Sequence, residues 1–285
     1  MDESFNQRVI RKFRAQGGHV EDFPAILLLT TAGRRTGQPR TTPLVYHQDG
    51  GRYLVFGSNG GDAAHPQWYR NLIAAGGGIV ELPDGEGGVT TLSVRPVELG
   101  PAERDHQYAE QARRVPSFAT FEERTDRTIP VLALHPLDLS ADPALAGRVI
   151  EQLRLHHEDL RRQLAELRTR LDDAGPVPGP DLAAQLRERC LKFCYGLGMH
   201  HTREEGAFTA FEQQYPQLIP ALARLRVEHR TVAEALTRFE ERLAAPGVEV
   251  AELRAELDRL TDGLEAHFAY EETHLRPPSA PHPPR

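Results

Sequence analysis

Cysteine, lysine, tryptophan, net positive charge and long apolar runs are all scarce in this chain, and each shortage removes a class of protein. Among 285 residues there are two cysteines, Cys190 and Cys194, too few for the disulfide framework of a small secreted domain. Their spacing of four suggests two small buried residues on one helical face rather than a redox pair. No apolar run approaches the ~18 residues that a membrane span needs. The start, "MDESFNQRVIRKFRAQGG", lacks the basic-then-apolar order of a secretory signal, so a cytoplasmic protein without a membrane span is expected. The formal net charge is −7. That argues against a sequence-independent grip on nucleic acid, because such a grip is built on neutralising phosphates. The basic residues that are present are arginine throughout, except Lys12 and Lys192.

What is present falls into two halves with different periods, and the length is about twice that of a common single domain. Up to about residue 137 the apolar runs are short: "AILLLTT", "TTPLVYH", "GRYLVFGS", "GGIVEL", "GVTTLSVRPVEL" and "IPVLALH". Turn segments "GRRTGQPR", "DGG" and "DGEGG" separate several of them, which predicts antiparallel strands with hairpins at the two Asp-Gly turns. Helical patterns interrupt at 3–15, 66–75 and 101–114. Six strands with few helices point to a small barrel.

After "HPLDLSADPALAG" the period becomes helical and stays so. Amphipathic segments at 146–172, 181–212, 217–244 and 249–275 are split by "DDAGPVPGP", "QQYP" and "AAPG", the pattern of an up-down four-helix bundle. The expected organisation is a multidomain α and β chain: a barrel unit over 1–138, a linker over 139–147, the bundle over 148–276 and a disordered tail over 277–285.

A seven-residue register on the bundle helices exposes an oddity. The first seam reads Ile150, Leu153, His157, Leu160, Leu164, Leu167, and the second Phe193, Leu197, His200, Glu204, Ala207, Phe211. The third reads Leu222, Leu225, His229, Val232, Leu236, Phe239, and the fourth Leu253, Leu257, Leu260, Leu264, His267, Glu271. A lone histidine on an apolar face is ordinarily a hydrogen-bonded core residue. One on every helix, with two seam carboxylates, is a different situation. Six polar side chains in one core would carry several kcal/mol of desolvation unless a common partner satisfied them. A metal ion does so. The i, i+4 spacing lets His200 with Glu204, and His267 with Glu271, each hold one centre, and carboxylates can bridge two cations. Mixed nitrogen and oxygen donors suit iron, manganese or zinc.

The pattern H, HxxxE, H, HxxxE over residues from about 146 to 276 resembles the hemerythrin-like (HHE cation-binding) family. The resemblance implies a non-haem centre of two iron ions, binding O2 or NO or sensing iron or redox state. Two departures stand out. Oxygen-carrying hemerythrins have a second histidine four residues after the one on the third helix, where this chain has Ala233; their last carboxylate tends to lie five residues after its histidine, which would point to Glu272 instead of Glu271. His156, His201 and Glu205 are one step off the seam and are expected in an outer layer or in solvent, orienting metal-bound imidazoles if anything. His274 is an alternative ligand of lower rank.

In the first half, "LLLTTAGRRTGQPRTTPLVY" sets Arg34, Arg35 and Arg40 around a glycine turn between two strands. Guanidinium forks and free backbone N–H groups suit a phosphate, although a basic hairpin tip is more often simply solvated. In "SNGGDAAHPQWYRNLIA" a Gly-Gly turn leads through Pro66 into a helix with Trp68 and Asn71. Glycine permits close approach to a ligand, and Trp68 is either a stacking surface or the plug of the barrel.

Together with "RTDRTIPVLAL", these motifs resemble the deazaflavin (F420)-dependent nitroreductase family, over residues from about 5 to 137. The resemblance implies a split β-barrel with flanking helices that binds coenzyme F420, with Arg34, Arg35 and Arg40 meeting its phosphate and acidic tail. It also implies that Thr42, Pro43, Ser58, Asn59, Gly60, Gly61, Trp68 and Asn71 line the rest of the pocket. Nitroreducing members carry tyrosines where this chain has Phe118, Phe121 and Val115, and a lysine where it has Asn59. Losing those hydroxyls removes proton donors, which suits a quinone-like acceptor better than a nitro group.

The expected function is therefore an F420-dependent oxidoreductase passing a hydride to a quinone-like or nitro acceptor, fused to a di-iron unit. No residue in the barrel stands out as an acid or base. The alternative is a sensor or binding protein for oxygen, nitric oxide or iron, in which the barrel only binds a cofactor. FMN is the alternative cofactor, since a flavin would pass single electrons to iron more easily. The expected partners are a small-molecule acceptor, with O2 or NO at the metal and a homodimer among the options, but no nucleic acid.

Overall fold

The structure, a computed structural model, describes residues 4–21, 23–142, 144–173, 180–244 and 249–275; the tail expected at 277–285 lies outside the described residues. The chain divides into two compact units, Met1–Leu137 with Glu205–Thr209, and Asp138–Glu204 with Ala210–Arg285.

In the first unit the short β-rich runs become β1 (Ile26–Ala32), β2 (Pro39–Asp49), β3 (Arg52–Phe56), β4 (Gly78–Pro83), β5 (Val89–Glu98) and β6 (Val131–Pro136). They close an antiparallel barrel in the order β1-β2-β3-β6-β5-β4, with β4 returning to β1. Both expected hairpins are present. Asp49 pairs with Arg52 across a two-residue loop in which Gly50 has φ +60°, the positive angle that an Asp-Gly hairpin turn requires. The Asp84 carboxylate accepts from the backbone N–H groups of Glu86 and Gly88, each at 2.8 Å, and so closes the second turn.

Alternation along the strands sorts the apolar residues into separate cores. Leu27, Leu29, Val55, Val80, Val94, Leu132 and Leu134 form one cluster with Trp68 and Leu72 of α2 (Gln67–Ala75). Ile26 and Leu28 on the other face of β1 meet Val9 and Phe13 of α1 (Phe5–Ala15). Leu54, Phe56, Val131 and Ala133 meet Tyr108 of α3 (Pro101–Arg114) and Phe118 of α4 (Ser117–Glu123). Burial on both faces explains why β1 reads as a continuous apolar run. Each such side chain contributes about 1.5–3 kcal/mol relative to exposure. α4 has no counterpart among the helices expected from the sequence.

The second unit consists, among the described residues, of α5 (Leu145–Asp173), α6 (Pro180–Gln214), α7 (Ile219–Ala244) and α8 (Val250–His274). α5 begins inside the stretch expected to be linker, where the Asp142 carboxylate accepts from the backbone N–H of Ala144 at 2.8 Å. One apolar cluster joins the late residues of α5 (Leu164, Leu167, Leu171), the early residues of α6 (Leu186, Cys190, Phe193), the late residues of α7 (Leu236, Phe239, Leu243) and the early residues of α8 (Val250, Leu257). Late meeting early on successive helices is the up-down arrangement. Cys190 and Cys194 are free thiols inside this cluster; burial pushes Cys190 up to about 11 and raises Cys194 as well, which leaves them protonated and inert. No helix of the described residues is long and apolar enough to cross a membrane.

Candidate metal centre and cofactor-binding face

The same up-down order that stacks leucine at one end of the bundle brings the polar seam residues together. His157 on α5, His200 and Glu204 on α6, His229 on α7, and His267 and Glu271 on α8 are all buried, none more than 5% exposed. Glu204 lies between the imidazoles. Its Oε1 is 2.9 Å from His200 Nε2 and 3.5 Å from His157 Nε2, while its Oε2 is 3.2 Å from His229 Nε2. Glu271 Oε2 is 3.4 Å from His157 Nε2 and 3.8 Å from His267 Nε2. The donor atoms form two groups that share Glu204: His157 and His200 on one side, and His201, His229 and His267 on the other, with the atoms of each group within 4.8 Å of one another.

Outer carboxylates aim the rings inward. His157 Nδ1–H donates to Glu272 Oε1 at 3.0 Å, and the same oxygen accepts from Arg161 Nη1 at 2.9 Å. His267 Nδ1–H donates to Glu228 Oε2 at 2.9 Å, and Glu228 accepts from Arg224 Nε at 2.7 Å. A carboxylate on Nδ1 fixes the tautomer and turns Nε2 toward the interior as a donor of electron density. Glu272 thus contacts the outer nitrogen of His157, while Glu271 lies 3.4 Å from its inner nitrogen but belongs to neither donor group.

Inside the cluster, Nε2 of His157, His201 and His267, both nitrogens of His200, and both carboxylate oxygens of Glu204 and Glu271 have no aligned hydrogen-bond partner. One buried orphan costs about 1–3 kcal/mol, and natural cores hold few of them. So many converging on one point fit a cation site: imidazole and carboxylate donors, close enough to share ions and screened from water. Charge agrees with this. Burial alone would depress His157, but the adjoining Glu204 and Glu271 outweigh it and push it up to about 10. Burial, reinforced by the charge of Glu204, pushes Glu271 up to about 8. Burial also works to raise Glu204, yet His200 and the imidazoles around it hold it well below the usual carboxylate range. Burial lowers His267 and His201, keeping them in the neutral form that binds metal.

A cavity of about 50 Å3 adjoins the His157 side, lined by Ile150, Leu153, Arg154, His157, Glu271, Glu272 and Leu275. That volume exceeds the ~10–15 Å3 needed by one water.

Of the residues expected to be peripheral, His156 is half-buried beside Gln152 and belongs to neither donor group. Glu205 is also half-buried and outside them. His274 is exposed, with Nδ1–H donating to the Tyr270 carbonyl at 2.7 Å. His201 differs from expectation: it is 6% exposed and part of the inner cluster. Glu228, Arg161 and Arg224 are further participants that the helix registers did not single out.

On the barrel unit the arginine turn is closed by Gly33 N–H donating to the Gln38 carbonyl at 2.8 Å, and Arg34 N–H donates to Asn71 Oδ1 at 3.3 Å. This ties the turn to α2 while the side chains of Arg34, Arg35 and Arg40 remain exposed. Thr42 and Pro43 follow on β2, half-buried, opposite Leu29 and Leu28. The second turn runs Ser58, Asn59, Gly60, Gly61, with φ of +50°, +63° and +82° at the last three. Gly61 is required there, since a Cβ would lie 2.8 Å from Arg124 Cβ and 2.9 Å from the Phe121 carbonyl. Arg127 clamps this turn: its guanidinium donates to the carbonyls of Gly57, Ser58 and Asp62 at 2.8–2.9 Å. That role was not visible from the sequence.

Trp68 is 7% exposed and packed in the barrel core, so the plug reading holds for most of its surface. Asn71 is 6% exposed. Phe118 is a core residue, packed on Phe56 and accepting from the Tyr108 hydroxyl at its carbonyl, 2.9 Å, while Phe121 and Val115 are half-buried.

Comparison with known proteins separates the same two halves. Residues 4–136 match the family model described as F420H(2)-dependent quinone reductase, and residues 148–278 match the hemerythrin HHE cation binding domain. The chain is 36% identical over 123 residues to an F420H(2)-dependent quinone reductase of Mycobacterium tuberculosis, covering 41% of this chain and 78% of that protein. Among solved structures, an F420-H2 dependent reductase is 35% identical, with 41% of this chain and 98% of that one covered and a TM-score of 0.36. A structure described as a domain-swapped dimer is 33% identical, with 45% and 92% covered and a TM-score of 0.37.

Proposed function

Because this chain belongs to the F420H(2)-dependent quinone reductase family over residues 4–136 and carries a hemerythrin HHE cation binding domain over 148–278, we propose that it is a reductase fused to a di-iron unit. Its barrel binds coenzyme F420 and reduces a quinone-like acceptor, while the helical unit holds two iron ions that bind O2 or NO or report redox state. When bound, the deazaflavin would supply a hydride and the iron pair a site for a diatomic ligand.

The chain's own residues would do the rest. Arg34, Arg35 and Arg40, exposed on a turn anchored through Asn71, would meet a phosphate and an acidic tail with charge-assisted hydrogen bonds. Thr42 and Pro43 extend that face along β2, and Ser58, Asn59, Gly60 and Gly61, held by Arg127, bring backbone close to the ligand. Val115, just before α4, and Phe121, on it, offer an apolar surface and no proton donor, which suits a quinone better than a nitro group. In the bundle, Glu272 and Glu228 fix the outer nitrogens of His157 and His267, and Glu204 would be shared between the two ions.

One observation carries the reading of the helical unit: the buried imidazoles of four helices converge around Glu204, and Nε2 of His157, His200, His201 and His267 lacks a hydrogen-bond partner. Full-length protein loaded with iron should hold two ions per chain. For the barrel, oxidation of reduced F420 should be followed with menadione as acceptor. Turnover supports the reductase. Tight binding without turnover, with any acceptor tried, would favour the second reading, a gas or redox sensor whose barrel only binds its cofactor. Replacement of F420 by FMN in a binding titration would change the cofactor and leave the acceptor question open to the same assay.

A further inference from the structure

The donors on the two sides of Glu204 are provided by the helices in an unexpected way. Position 233, one turn beyond His229, holds an alanine that is exposed to solvent, so α7 presents a single imidazole to the interior. His201 lies on the neighbouring α6, 6% exposed, with no hydrogen-bond partner at Nε2. Its ring lies almost flat on that of His229, with centroids 4.3 Å apart and planes 17° from parallel, and stands edge-on to His267 at 5.2 Å. The donor atoms of His201, Glu204, His229 and His267 fall within 4.8 Å of one another.

We propose that His201 is a direct ligand of one cation, completing a three-imidazole site with His229 and His267 in the place that α7 leaves unfilled; this rests on the di-metal reading above. Adjacent residues of a helix are turned about 100° apart, so His200 and His201 face different neighbours. His200 joins His157 near Oε1 of Glu204, while His201 falls in the other donor group with His229, which faces Oε2. α6 therefore serves both ions through a histidine pair and one carboxylate. A histidine kept only for packing would find hydrogen-bond partners for its buried nitrogens, and His201 Nε2 has none. The resulting centre is unequal: three imidazoles on one side, two on the other, with the small cavity adjoining His157 on the two-imidazole side.

The test uses the full chain, stripped by chelation and titrated with cobalt(II), whose visible spectrum reports its donors. Wild type should take up two ions. His201→Ala should keep one at wild-type affinity and bind the other more than about a hundredfold more weakly, beyond the loss typical of an outer-shell partner, and added imidazole should restore the spectrum of the weakened site. His201→Gln, closer in volume, is the second variant, with circular dichroism as the check on folding. Histidine nitrogen resonances of 15N-labelled wild type, recorded with and without zinc, give a readout that needs no variant: His201 Nε2 should shift as a coordinated nitrogen. Two ions at unchanged affinity in either folded variant, or an unmoved His201 resonance on zinc loading, would overturn the proposal while leaving the di-metal reading intact. A wild type that takes up no cation would remove both.

Discussion

Replacing Glu204 by glutamine should disable both halves of the metal centre at once, whereas replacing a single histidine should disable one. The reason is geometric: Glu204 belongs to both donor groups, with one oxygen facing His157 and His200 and the other facing His229. With free cation at a hundred times Kd, each filled site stabilises the fold by about 2.7 kcal/mol. A direct ligand should cost at least the upper end of the 10–100-fold that an outer carboxylate costs, about a hundredfold; the same cation concentration then equals Kd and stabilises by only about 0.4 kcal/mol. Each affected half loses roughly 2.3 kcal/mol, so Glu204→Gln should lose about 4.6 kcal/mol of metal-dependent stability and His157→Ala about half of that. At about 3 °C per kcal/mol for a unit of this size, the metal-induced rise in Tm should shrink by about 14 °C and 7 °C respectively. Comparing each variant with and without zinc cancels the packing change made by the substitution itself. The assay is thermal unfolding paired with calorimetric titration of zinc into the stripped full chain. Retention of one ion at wild-type affinity in Glu204→Gln would refute the shared-carboxylate reasoning.

Other outcomes follow from the same geometry. A cation must displace the protons held by His157, raised to about 10, and Glu271, raised to about 8. Below pH 8 both are bound, so apparent affinity should rise steeply with pH, by up to about a hundredfold per unit, and by about tenfold per unit between 8 and 10; proton release into weakly buffered solution checks the sign, and a flat response from pH 6 to 8 would contradict it. Glu272→Ala and Glu228→Ala should each cost about 10–100-fold in affinity for one ion only, the first on the His157 side and the second on the His267 side, as read by two-step titration. In the barrel, Arg34→Ala or Arg40→Ala should weaken F420 binding by an amount equivalent to about 1.5–3 kcal/mol per charge-assisted bond and flatten its salt dependence, and lysine should not restore a bidentate contact. Fluorescence titration of the cofactor reads this. Unchanged affinity and salt slope would place the arginine turn outside the cofactor site.

How much of this was legible in the sequence depended on the distance over which the signal acts. The barrel strands were readable because alternation and Asp-Gly turns are local, and even the unalternating β1 is explained by Val9 and Phe13 covering its outer face. α4 was missed because seven residues make too short a period to register; its anchor is Phe118, whose partners Phe56 and Tyr108 come from other elements. The seam histidines were readable because each replaces a core residue in a register that successive helices share. His201 was not, since it lies one residue off the seam beside His200, and only the ring of His229 on α7 shows where it points. The outer shell was hidden for a related reason: Glu228 precedes His229 in the chain but serves His267 on another helix. Trp68 could be read either as a platform or as a plug, and only the packing of Leu27, Leu72 and Val80 around it decided for the plug.

The central claim, that two cations share Glu204 inside the helical unit, is tested most directly by iron analysis and electron paramagnetic resonance on the iron-loaded full chain. Two irons per chain, magnetically coupled to each other, are predicted. One isolated iron per chain, or two that behave independently, would contradict it.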